Sequence, residues 1–311
     1  MFSIERCGIM LEPQLGMSPE QVISTARDVE SLGFSYLFRS DHLLPTDNRR
    51  GLDSPECWTT LGAIAVATSR LRFGPLVSPV GFRNPALLAR MASTVHALSG
   101  GRLQLALGAG WYEPEYATHG YEFPPFRVRR EQFEEALSIV LPMLRDGRVD
   151  FAGRHFRANT DCFPRPAGPI RIIVGGRTRS VIRVASRVAD EWNTLVSSPE
   201  VTQQNMALLR RTEGDRKVDV SEMGPFLIGR NDSELMANAK TQIVKLGQQG
   251  TPMELIKRVK SRGAFCGTPE EFSELLTTKL NSGIARFYFQ ALVPGNREMT
   301  GLLADILKDY S

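Results

Sequence analysis

Short apolar runs alternate with longer stretches of 3.6-residue periodicity along most of the chain. Cys7 to Leu11 predicts a first strand, and Ser18 to Leu32 a helix with Val22, Ile23, Ala26 and Val29 on one face, capped by Ser18 and opened by Pro19. Ser35 to Arg39 predicts the second strand, Trp58 to Thr68 the second helix and Arg72 to Ser78 the third strand. Asn84 and Pro85 open a helix bearing Leu88, Met91, Ala92, Val95 and Leu98, which Gly100 and Gly101 end. Arg102 to Leu107 is the fourth strand, and Arg127 to Leu144 a helix with Phe133, Ala136, Leu137, Val140, Leu141 and Leu144 in phase and Pro142 kinking its last turn.

The pattern lapses between Val149 and Pro169, where a polar, proline-containing segment predicts a hairpin or extended loop across the rim. It resumes with a strand at Ile170 to Val174, a helix at Ser180 to Val188 and a strand at Glu191 to Val196. Met223 to Ile228 and Ala285 to Ala291 complete eight strands, and Glu298 to Lys308 a last helix. This alternation is the βαβ signature, so the expected fold is α/β, a single (β/α)8 TIM barrel over residues 1–311. Residues 199–282 hold more helix than one crossover needs, including one opened by Thr268-Pro269-Glu270, which predicts a helical insertion around strand seven. A doubly wound fold would need a dinucleotide loop, and Gly108-Ala109-Gly110 continues with Glu113 where a third glycine is required.

Composition narrows the function classes. The 311 residues are 42% hydrophobic, and 38 Lys and Arg against 34 Asp and Glu leave a net charge of +4. The basic residues are scattered, which argues against a nucleic-acid surface and is compatible with an anionic small ligand. Cys7, Cys57, Cys162 and Cys266 lie far apart without CxxC pairing, so neither zinc nor a disulfide framework is expected. No apolar run reaches the ~18 residues of a membrane span and no secretory leader is evident, so a cytoplasmic protein is expected. Walker, HExxH and nucleophile-elbow motifs are absent.

In a parallel barrel the chemistry sits where strands end. The second strand ends in Arg39-Ser40-Asp41-His42, the third in Val77-Ser78-Pro79-Val80, the fourth in Gly108-Ala109-Gly110-Trp111 and the fifth in Gly175-Gly176-Arg177-Thr178. Imidazole exchanges protons near neutral pH, which makes His42 the catalytic candidate, with Asp41 orienting it or binding a cofactor. A loop-capping histidine is the bland alternative. Gly175 and Gly176 permit close backbone approach, the following helix start offers free N–H groups, and Arg177 and Arg179 add charge, a recipe for a phosphate. A tight turn that needs glycine for its dihedrals would look the same. Gly108, Ala109 and Gly110 would let a planar ring lie against backbone with the Trp111 indole as wall, and a cis bond at Ser78-Pro79 would shape a surface for it. Core packing explains an isolated tryptophan equally well. Loop packing is the ordinary use of Phe123, Phe126, Phe156 and Phe163.

Six motifs in register, Ser40-Asp41-His42, Arg83-Asn84-Pro85-Ala86, Leu98-Ser99-Gly100-Gly101-Arg102, Leu107-Gly108-Ala109-Gly110-Trp111, Ile173-Val174-Gly175-Gly176 and Ala189-Asp190-Glu191-Trp192-Asn193, give the chain its resemblance to the luciferase-like monooxygenase superfamily, in particular the branch using the deazaflavin coenzyme F420. The resemblance implies a barrel with an insertion, a homodimer and a bulged, often cis, peptide after strand three. It also implies cofactor contacts at Asp41, Ser78, Ala109, Gly110, Gly175, Gly176, Thr178 and Arg179, with His42 in the active-site position. Sugar-phosphate dehydrogenases of that branch carry a second catalytic glutamate where this chain has Trp111, with Glu113 or Glu115 as nearby carboxylates. The resemblance therefore implies hydride transfer between F420 and a small organic substrate. An FMN-dependent monooxygenase and a non-catalytic flavin-binding barrel are the alternatives.

Overall fold

The computed structural model describes residues 3–47 and 49–309. Its first half contains β1 (Cys7–Leu11), α1 (Pro19–Ser31), β2 (Tyr36–Arg39), α2 (Cys57–Ala67), β3 (Arg72–Pro75), β4 (Ser78–Pro79), α3 (Pro85–Leu98), β5 (Gln104–Gly108), α4 (Glu113–Thr118) and α5 (Phe126–Asp146). The second half adds β6 (Arg148–Ala152), β7 (Arg157–Asp161), β8 (Arg171–Gly175), α6 (Arg179–Val188), β9 (Glu191–Leu195), α7 (Pro199–Thr212) and β10 (Asp219–Ile228). It ends with α8 (Asp232–Leu246), α9 (Pro252–Ser261), β11 (Phe265–Gly267), α10 (Pro269–Asn281), β12 (Arg286–Ala291) and α11 (Arg297–Asp309).

The main sheet runs β3-β2-β1-β12-β10-β9-β8-β5-β4, with every pairing parallel. β3 and β4 are two halves of the third strand. β3 pairs with β2, β4 pairs with β5, and a bridge between Phe73 and Leu103 links β3 to the start of β5. The ring of eight strands therefore closes as a TIM barrel, and the strand-to-helix alternation read from the sequence is what builds it. Strands buried on both faces explain the unbroken apolar runs.

Met10, Tyr36, Phe38, Leu76, Ala106, Ile173, Met223 and Tyr288 fill the barrel interior. Its N-terminal end is plugged by charge: Tyr288 donates its hydroxyl to Glu191 (2.6 Å), and Arg286 and Arg171 both bind Glu191 and Asp219. Glu191, the buried ion among them, is tolerated because both arginines and Tyr288 bind it. The larger core lies between the strands and the helical layer.

Three expectations change in detail. The segment around 149–169 is a hairpin, β6 against β7, but it lies on the outer helices rather than across the rim. Arg90 and Ser93 of α3 donate to Asp161 and Pro164 carbonyls, and Glu135 of α5 accepts from Arg154, His155 and Phe156 amides. The surplus helix is α8 and α9, inserted after strand seven together with the short strand β11, which extends the sheet beside the end of β10. Strand seven itself begins at Asp219, not Met223. Ser221 and Glu222 hid its start, since both are polar yet fully buried, one bonded to Asn193 and the other to Lys279.

Candidate active site

At the C-terminal end of β2 the Arg39 side chain turns back into the layer between strand and helix, binding the Pro55 and Glu56 carbonyls and Thr60. The next residues, Ser40, Asp41 and His42, are left at the barrel mouth. His42 Nδ1 lies 2.9 Å from Glu115 Oε1, and Glu115 Oε2 accepts from the Leu43 amide at 2.9 Å. Glu115 is buried on the short helix α4. Burial opposes a charged imidazole, but the Glu115 hydrogen bond and the carboxyls of Glu115, Glu12 and Asp41 outweigh it and raise the His42 pKa. Glu115, rather than Asp41, orients His42, which corrects one of the two roles read for Asp41. Glu113, two residues earlier, has no hydrogen-bond partner for its side chain among the described residues.

Asp41 instead accepts from Ser78 (2.6 Å) and from both terminal nitrogens of Arg83 (2.6 and 3.0 Å). Trp58 donates to the same Ser78 hydroxyl, and Arg83 reaches on to Glu56. The strand-two and strand-three ends are thus fastened together by a buried, charge-assisted network. Arg83 stands in a recognised motif, but only the fold shows its guanidinium beneath the mouth.

The expected cis peptide is at Leu76–Val77 and not at Ser78–Pro79. The Val77 side chain rests in the space where Cβ atoms on Gly108 and Gly175 would lie, 2.6 and 2.5 Å from them. A Cβ on Gly176, which has φ +142°, would meet Val181 at 2.9 Å. The Gly175-Gly176 pair therefore answers a packing and dihedral requirement, and the feature that suits an anion lies immediately after it in the chain. Arg177, Thr178 and Arg179 are exposed, and neither arginine side chain has a partner among the described residues. Thr178 caps α6 by accepting from the Val181 amide, which leaves the Arg179 and Ser180 amides without a partner among the described residues at the positive end of the helix. An anionic tail fits this terminus.

Ala109 and Gly110 form a half-buried strip at the end of β5. Gly110 has φ +75°, and a Cβ there would come within 2.0 Å of the Tyr116 hydroxyl. Trp111 is 65% exposed and meets the His42 ring edge-on at 5.6 Å, with Tyr112 edge-on at 6.1 Å. Phe123 packs on Tyr116 under the Arg129 guanidinium, an ordinary loop contact. Across the mouth Gln290 donates to Glu12, Gln14 donates to Glu12 (2.6 Å), and Ser40 donates to Gln14 (2.6 Å). Glu12 and Gln290 escaped the sequence reading, although Glu12 directly follows a predicted strand and that position was the available signal.

The luciferase-like monooxygenase family model matches residues 3–285. The chain is 32% identical over 176 residues to an F420-dependent glucose-6-phosphate dehydrogenase of Intrasporangium calvum, covering 55% of this chain and 52% of that protein. It is 26% identical over 221 residues to the pyrimidine monooxygenase RutA of Escherichia coli, covering 68% and 57%. The aligned region thus spans little more than half the length of these curated relatives. Among solved structures, an F420-dependent secondary alcohol dehydrogenase superposes with a TM-score of 0.81 at 19% identity over the whole of both chains. The monooxygenase RslO1 from Streptomyces bottropensis superposes with a TM-score of 0.83 at 19% identity, covering 98% and 99%. At such identity these structures speak for the fold, and the family match over most of the chain accords with the site at the mouth of the barrel. The chain belongs to the luciferase-like monooxygenase family.

Proposed function

We propose that the protein is an oxidoreductase that transfers hydride between coenzyme F420 and a small organic substrate, with His42 handling the accompanying proton. The observation that carries the proton role is the His42–Glu115 pair at the barrel mouth. With Nδ1 engaged by a carboxylate, the Nδ1–H tautomer is favoured and Nε2 is left as the proton acceptor. On oxidation of an alcohol, Nε2 takes the hydroxyl proton, and Glu115 stabilises the imidazolium that results. The coenzyme, when bound, supplies two-electron hydride chemistry.

The remaining assignments follow the geometry. Arg177, Arg179 and the first turn of α6 would hold the anionic part of the coenzyme. Ala109 and Gly110, with Asp41 and Ser78, would hold its ring. Trp111 would shield the reacting atoms from water. The curated relative named as F420-dependent supports this coenzyme. The matches to pyrimidine monooxygenases support a second reading, a monooxygenase, and its cofactor would be FMN, whose phosphate would suit the same helix terminus.

Titration of the protein with F420 and with FMN tests the choice. F420 is expected to bind at least about ten-fold more tightly, a difference of about 1.4 kcal/mol. FMN preference with oxygen-dependent turnover would establish the second reading. Tight coenzyme binding without turnover across a broad panel of alcohols and carbonyl compounds would leave a non-catalytic flavin-binding barrel.

A further inference from the structure

The groups around His42 are mostly of one sign. Glu115 is on its Nδ1, Asp41 precedes it in the chain, and Glu12 acts on it across the mouth. Glu12 is 6% exposed and is held by two neutral amides, Gln14 and Gln290, with no cation bonded to it among the described residues. The two guanidiniums beneath the Asp41–His42 turn are already engaged. Arg83 spends its terminal nitrogens on Asp41 and Glu56, and Arg39 is buried on carbonyls and Thr60. The unpaired cations identified at the mouth, Arg177 and Arg179, stand at the α6 terminus. Beside His42 the exposed surface is the Trp111 indole, next to Tyr112.

We infer that the substrate subsite beside His42 takes an alcohol or carbonyl compound with a flat apolar body and no negative charge, and excludes phosphorylated substrates. The inference rests on the proposed hydride-transfer reading for the reacting group, and on the side chains named above for the selectivity. A phosphate entering this subsite would meet Glu12, which has no cation bonded to it among the described residues, and Glu115, inside a partly desolvated mouth where such repulsion is weakly screened. An aromatic or alicyclic body would instead cover the indole and gain from its burial. The relative named for glucose-6-phosphate therefore differs from this chain in what the subsite accepts.

Trp111 provides its own reporter, since Trp58 is 3% exposed and Trp192 fully buried. The full chain is titrated with benzyl alcohol and with benzyl phosphate, with and without saturating F420, and tryptophan emission is followed. Benzyl alcohol is expected to saturate the signal with a Kd at least ten-fold below that of benzyl phosphate, and Trp111→Phe should abolish the response. Glu12→Gln should narrow the gap several-fold by strengthening benzyl phosphate binding. Equal or tighter binding of benzyl phosphate, no saturable response to benzyl alcohol, or an unchanged gap in Glu12→Gln would each overturn the inference. F420 binding is read separately from its own absorbance. Its failure would sink the hydride-transfer reading while leaving the selectivity measured.

Discussion

His42 and Glu115, 73 residues apart in the chain, meet with Nδ1 and Oε1 2.9 Å apart, because the turn after β2 and the short helix α4 converge on one side of the barrel mouth. His42→Ala is expected to lower turnover by about 100-fold or more while coenzyme affinity stays nearly constant. Parallel losses in both would remove the proton-transfer role. Glu115 holds the His42 pKa above the usual imidazole value, so Glu115→Gln should move the ionisation seen in kcat/KM to lower pH.

The same shift has a stability consequence of fixed sign. The folded protein holds the His42 proton more tightly than the unfolded chain. That stabilisation is complete below the unfolded imidazole pKa of about 6.5 and is lost as pH rises through the higher folded value. Urea denaturation across this window should show a slope in the parent protein that flattens in Glu115→Gln. An identical slope in both would mean that Glu115 does not set the His42 proton affinity.

Replacing Arg177 and Arg179 with alanine should weaken coenzyme binding by about ten-fold, since each solvent-exposed ion pair contributes up to roughly 1 kcal/mol. Parent affinity should fall with added salt, and the double variant should respond less. Unaltered affinity and salt dependence would place the anion elsewhere.

Gly110→Ala should destabilise the protein by more than about 1 kcal/mol, combining the left-handed conformation with the collision against the Tyr116 hydroxyl. Tyr116→Phe in the same chain removes the colliding oxygen and should recover part of the loss. Strict additivity of the two changes in denaturant titrations would show that the contact does not matter.

Gly175→Ala drives a methyl group into Val77 Cγ1, and the clash should be relieved by adding Val77→Ala. The double variant is expected to be more stable than Gly175→Ala alone. If it is the less stable of the two, Val77 is not what excludes a side chain at position 175.

The barrel was legible because its strands are buried on both faces and its helices bury one stripe, so each element repeats its own period. Strand seven was legible only in its second half, since Asp219, Ser221 and Glu222 break the apolar run and are tolerated by partners on other elements. The segment at 148–161 was legible as a hairpin or an extended loop but not in its placement, which depends on Glu135 and α3.

Local sequence alone determined which residues stand at the strand ends, and so put His42, Asp41, Trp111 and Arg177 at the mouth of one barrel. It could not determine who pairs with whom there. Asp41 and His42 are adjacent in the chain, yet one turns to Arg83 and Ser78 and the other to Glu115. The glycines at 108 and 175 likewise read as room for a ligand until Val77 was found resting against both. Periodicity reports burial one element at a time, whereas hydrogen bonds and collisions between residues far apart in the chain exist only once the ring of strands has closed.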